Sequence, residues 1–127
     1  MTSAEYLESI KTRLLIDPIV VSFQIVRERA TSADGYLRAK LTLLDDSQLE
    51  FAEYFTVSAD GQVAVVTYNY HWATAHSELI QRWDNTPHHP DLPNFPYHAH
   101  VANSAEPIPA QPLSIFAVLD EVASRLK

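Results

Sequence analysis

The feature that most constrains this chain is a change of hydrophobic period near Ile19. Before it, Leu7, Ile10 and Leu14 recur at helical spacing, Thr2 and Glu5 have the spacing of a capping box, and Asp17-Pro18 stops the pattern. A helix from Thr2 to about Leu15 is expected. After it the period is two. Val21, Phe23 and Ile25 alternate with Ser22 and Gln24; Leu37, Ala39, Leu41 and Leu43 alternate with Arg38, Lys40 and Thr42. Leu49, Phe51, Phe55 and Val57 follow, with Glu53 interrupting their face. A fourth run, Val63 to Trp72, sets Tyr68, Tyr70 and Trp72 against Thr67, Asn69 and His71, and a fifth runs from Leu79 to Asn85. Only half-buried strands read this way.

The runs are separated by Asp34-Gly35, Asp45-Asp46, Asp60-Gly61 and a loop near His76. Such short connections join antiparallel neighbours, and Asp60-Gly61 reads as a two-residue hairpin turn. A last segment, Pro112 to Leu126, returns to helical spacing through Ile115, Phe116, Leu119, Val122 and Leu126. The expected fold is therefore α+β. A five-stranded antiparallel meander carries the N- and C-terminal helices on one face and leaves the other open.

With 127 residues, 46% of them hydrophobic, the chain suits one domain. It has no cysteine, which excludes disulfides and thiolate metal sites and makes a reducing compartment the default. Met1 to Glu5 lacks the marks of a signal peptide, and no apolar run approaches a membrane span, so a cytoplasmic protein is expected. The formal charge of −7 argues against a duplex-binding surface but leaves room for a local basic site.

Register decides how the charges are read. Pairing Ile25 with Leu41 and Phe23 with Leu43 would set Glu28 beside Arg38, and Lys40 falls near Glu50. These would be ordinary cross-strand ion pairs. Arg27 and Arg29 remain unpaired at the sheet end and are the better phosphate ligands. A tight turn at Asp60-Gly61 would pair Phe55 with Val66 and Glu50 with His71. If Leu79 and Trp83 face the core, Arg82 and Asp84 share the open face with Asn69 and His71. The aromatic set Tyr68, Tyr70, Trp72 and Trp83 is then core rather than a stacking platform.

Histidines and prolines crowd the segment from Arg82 to His100. Pro87, Pro90, Pro93 and Pro96 recur at the three-residue period of polyproline II, which would set Leu92 and Phe95 on an edge docked against the protein. An extended strip spaces its residues too widely to build a site alone. His88, His89, His98 and His100 would have to meet groups on the sheet. His98 and His100 share one side if the chain is extended there. They supply two metal ligands, which Asp84, Asp91 or His71 could complete as a zinc site. Metal-free acid–base work is the alternative, since imidazole titrates near neutrality. There is no phosphate-binding glycine loop and no serine or cysteine nucleophile motif.

Three stretches carry a resemblance: Tyr70-His71-Trp72, Arg82-Trp83-Asp84-Asn85-Thr86-Pro87-His88-His89, and Phe95-Pro96-Tyr97-His98-Ala99-His100-Val101. In them the chain resembles the TumE family of bacterial toxin–antitoxin toxins. The match in detail covers about a quarter of the chain. Thr86 and Tyr97 stand where alanine and often histidine would be expected. The resemblance implies a toxin partnered by an antitoxin encoded by an adjacent gene, and such toxins often attack RNA or translation. The leading expectation is metal-independent ribonuclease chemistry without a cofactor. His71, Asp84, His88 and His98 would be catalytic, and Arg82, Asn85, His89 and His100 would bind RNA. The alternatives are a protein-docking module, binding an antitoxin or a second copy as a homodimer, and a small His/Asp metalloenzyme.

Overall fold

A computed structural model describes residues 1–86, 94–102, 106–110 and 113–126. The chain opens with α1 (Ser3–Ile16), whose N-cap Thr2 accepts from the Glu5 amide while the Glu5 carboxylate takes the Thr2 amide. This is the capping box read from the sequence. Seven antiparallel strands follow in strict chain order: β1 (Val20–Ala30), β2 (Asp34–Leu43), β3 (Gln48–Val57), β4 (Val63–Ala73), β5 (Leu79–Asp84), β6 (His98–Val101) and β7 (Ile108–Pro109). The closing helix is α2 (Ile115–Arg125), three residues shorter at its start than expected.

The architecture is the expected α+β meander with both helices on one face, but it has six full strands and a two-residue seventh rather than five. The additions come from the segment after Asp84. A turn at residues 94–96, closed by the Tyr97 amide on the Asn94 carbonyl, returns the chain along β5. Phe95 lies in that turn with 43% of its surface exposed, not on the edge of an extended strip. Pro87, Pro90, Pro93, Asp91 and Leu92 lie outside the described residues.

The core lies between sheet and helices. Ile10 and Leu14 of α1 and Ile115 and Leu119 of α2 meet Leu37, Leu41, Phe51, Phe55 and Tyr70, all essentially inaccessible to water. Burial of each such side chain contributes about 1.5–3 kcal/mol. Trp72 and Trp83 join them as expected, and Tyr6 meets Phe55 edge to face at 4.6 Å.

One polar group sits inside this core, and it explains the break at Glu53. The carboxylate is fully buried and accepts from the Tyr6 hydroxyl, the Tyr70 hydroxyl and the Ile115 amide, each at 2.7 Å. Ser114, the N-cap of α2, makes no side-chain capping bond, so Glu53 supplies the acceptor at that helix start. Burial raises the Glu53 pKa, and the three donors oppose that rise without cancelling it.

Three turns and registers differ from expectation. The first turn lies at residues 31–33, and Asp34-Gly35 already belongs to β2. Gly35 serves packing instead: a Cβ there would collide with the Phe55 ring. The β3–β4 turn is longer than two residues. The Gly61 amide bonds the Ser58 carbonyl with Gly61 at φ +82, and the Ser58 amide bonds the Gln62 carbonyl. Phe55 consequently pairs with Val65, across a bulge, while Glu50 pairs with His71 as expected. On β1, Phe23 pairs with Leu41 and Ile25 with Ala39, and a second irregularity follows before Arg27. Arg27 thus opposes Arg38, and Glu28 turns to Lys11 of α1 at 2.8 Å. Arg38 finds Glu50 at 2.7 Å.

Candidate active site on the open sheet face

Strand registers arrange the open face as rows of cross-strand neighbours. One row reads Gln24, Lys40, Glu50, His71, Arg82 and His100 from β1 to β6. The next reads Arg27, Arg38, Ala52, Asn69, Asp84 and His98. Period-two alternation puts these side chains on the face opposite the helices, because Tyr70, Trp83 and Ala99 between them are core. The expected cluster of Asn69, His71, Arg82 and Asp84 is present, and β6 adds His98 and His100 to it.

Asp84 is the hub. It is buried, yet its two oxygens face several cationic or donor groups. Oδ1 accepts from the Thr86 amide at 3.0 Å and lies 2.8 Å from His98 Nε2. Oδ2 accepts from Arg82 Nε at 3.2 Å and lies 4.0 Å from His100 Nε2. A buried carboxylate requires such partners, since an unpaired charge here would cost several kcal/mol.

The two histidines of β6 differ in access. His98 is 2% exposed, and its Nδ1 lies 2.9 Å from the Pro96 carbonyl. With an acceptor at Nδ1 and a carboxylate at Nε2, the ring is fixed in orientation behind the site. His100 keeps a third of its side chain exposed, and its ring stands edge-on to His98 with centroids 5.0 Å apart. On the other side of Arg82, the guanidinium Nη1 stands 3.4 Å from His71 Nδ1. Partial burial and then the Arg82 charge lower the His71 pKa below its ordinary value, holding the ring neutral around pH 7.

The remaining sequence candidates divide. Asn85 points away from the row: its Oδ1 accepts from the Tyr68 amide at 3.0 Å and its Nδ2 donates to the Val66 carbonyl at 2.8 Å, continuing the β4 ladder past the end of β5. His88 and His89 lie outside the described residues. Sequence reasoning missed the Thr86 amide and the Pro96 carbonyl, which are backbone groups without a residue-type signal. It also missed β6 as a strand, although the alternation His98-Ala99-His100-Val101 is itself the signal.

As chemistry, the cluster offers one cation flanked by two accessible imidazoles and backed by a buried Asp–His pair. It also offers ligands. Donor atoms of Asp84, His98 and His100 all lie within 4.8 Å of one another. No helix among the described residues is long and apolar enough to cross a membrane. A family model described as "Toxin TumE" matches residues 10–126. No curated protein and no solved structure gives a significant match.

Proposed function

The chain belongs to the TumE toxin family, and from that premise we propose that it cleaves RNA by metal-independent histidine acid–base chemistry on the open face. The observation that supports this most is the row His71, Arg82, His100, in which a guanidinium stands between two accessible imidazoles. Neighbouring strands are about 4.8 Å apart, so the two histidines flank Arg82 with roughly 10 Å between their backbones. In-line displacement at phosphorus needs a base and an acid on opposite sides of the reacting phosphate, with a cation between them.

In this reading Arg82 turns from His71 onto a phosphate oxygen. The neutral His71 takes the proton of a ribose 2′-hydroxyl. The freed oxygen attacks phosphorus, the bond from phosphorus to the 5′-oxygen breaks, and His100 gives its proton to that leaving oxygen. The products are a 2′,3′-cyclic phosphate and a 5′-hydroxyl end. Asp84 stands beside His100 Nε2 and tethers Arg82. Burial makes His98 a positioning residue rather than the proton exchanger expected from sequence, and the ladder bonds of Asn85 give it a positioning part as well. Membership of a toxin family implies an antitoxin partner, and we place its gene beside this one.

The test is cleavage of a labelled single-stranded RNA by purified protein in excess chelator. Cyclic-phosphate ends, with no cut where the 2′-hydroxyl is replaced by hydrogen, are expected. Cleavage of all-deoxy substrate, or none of RNA, would sink the mechanism. A second reading is favoured by the Asp84, His98 and His100 donor set: a zinc-type centre with three protein ligands and an open position. Stoichiometric metal in purified protein and activity abolished by chelator would select it.

A further inference from the structure

Five of the nine Lys and Arg residues lie on the open face: Arg27, Arg29, Arg38, Lys40 and Arg82. Its strands bring only Asp34, Glu50 and Asp84 against them, so this face is net positive on a chain of formal charge −7. The proposed chemistry uses Arg82 alone. The opposite corner of the face has a different composition. Arg29, Tyr36, Tyr54 and Thr67 form one row, and Arg27 begins the row beside it. Arg27 and Arg29 line a depression with Tyr36, and the Arg27 guanidinium stands 6.0 Å from the Tyr36 ring centre. The Tyr54 hydroxyl donates to Asp34 at 2.8 Å, which fixes that ring. A second depression, walled by Tyr36, Tyr54 and Asn69 and floored by the small Ala52, leads from this corner toward Asp84.

We infer that Arg27, Arg29, Tyr36 and Tyr54 form a second subsite, which holds the phosphates and a stacked base of a single-stranded RNA whose reacting phosphate lies at Arg82. This rests on RNA being the substrate. Charge selects an anionic occupant. Among the described residues no carboxylate lies within ion-pair distance of Arg27 or Arg29, while Arg38 and Arg82 each have one. Arg27 directly opposes Arg38, a like-charge pair that costs the sheet stability and that a bound phosphate would relieve. Aromatic faces beside cations select unstacked bases, as in other single-strand platforms, whereas a duplex hides its bases. From β1 to β6 the face spans five strand spacings, about 24 Å, long enough for several nucleotides.

The experiment uses full-length protein and a labelled single-stranded RNA long enough to span the face, made uncleavable by 2′-O-methylation. Arg27→Gln with Arg29→Gln should weaken binding at low salt about tenfold or more and lower the salt slope by about 1.4, roughly 0.7 per lost phosphate contact. Tyr36→Ala should weaken binding about fivefold or more. All three side chains are surface groups, and none should alter cleavage of a dinucleotide, which reaches only the Arg82 centre. Unchanged affinity and salt slope in the double variant overturn the subsite, as does a duplex bound as tightly as the single strand with Tyr36→Ala silent. Loss of binding in the variants of a protein that cleaves no RNA keeps the subsite and refutes the chemistry. Normal cleavage with unaffected binding does the reverse, and no binding by the unaltered protein refutes both.

Discussion

Arg82 touches His71 on one side and Asp84 on the other, and both contacts have consequences that titration can read. The His71 pKa is lowered first by burial and second by the Arg82 charge. Arg82→Gln removes the second cause alone, so the His71 midpoint should rise part of the way back toward 6.5 in an NMR titration. A midpoint that stays put or falls would mean that Arg82 does not set the state of His71. The sign for stability follows from linkage. Because the folded state binds the His71 proton less readily than the unfolded chain, this group's contribution is complete above about pH 6.5 and is lost as pH falls through the lowered folded value. The acid limb of cleavage should lie in the same window. His71, Arg82 and Asp84 were legible in the sequence because strand parity alone decides their face. The split between His98 and His100 was not, since the two are equivalent by parity and differ in their neighbours and burial.

At the scale of elements, Glu53 shows what alternation can and cannot convey. Its break in the apolar face of β3 was visible. Its partners come from α1, β4 and the start of α2, and no local pattern announces them. Glu53→Ala strands two hydroxyls and a helix-start amide in the core and should cost about 3–5 kcal/mol in denaturant unfolding. Glu53→Gln keeps an acceptor and should cost less. A small loss in the alanine variant would contradict the clip between β3 and α2. The raised Glu53 pKa has the opposite linkage to His71. The folded state holds this proton after the unfolded chain has lost it, so stability declines as pH rises from about 4.5 to the raised value, and Glu53→Gln flattens that decline. The same element explains Gly35, which looked like a turn signal and instead makes room for Phe55. Gly35→Ala should destabilise by about 1–3 kcal/mol through overpacking. Registers were legible where ladders run unbroken, as at Glu50 and His71. They slipped at bulges, because one inserted residue changes the pairing without changing the composition.

Across the whole molecule, the meander with two helices on one face was legible because each strand alternates and each connection is short. The sheet's far edge was not, because the proline period after Asp84 suggested an extended strip and concealed β6. That edge completes the site: without His98 and His100, Asp84 and Arg82 would be a plain surface pair. The charge map is also a property of the whole, for no single stretch reveals that an acidic chain carries most of its arginines on one face. The proposed chemistry therefore rests on one corner, where β4, β5 and β6 meet. Its most direct test is growth on induced expression of the unaltered chain beside His100→Ala, with circular dichroism and expression level matched between them. Arrested growth is expected with the unaltered chain and normal growth with His100→Ala. A folded His100→Ala chain that arrests growth as strongly would contradict it.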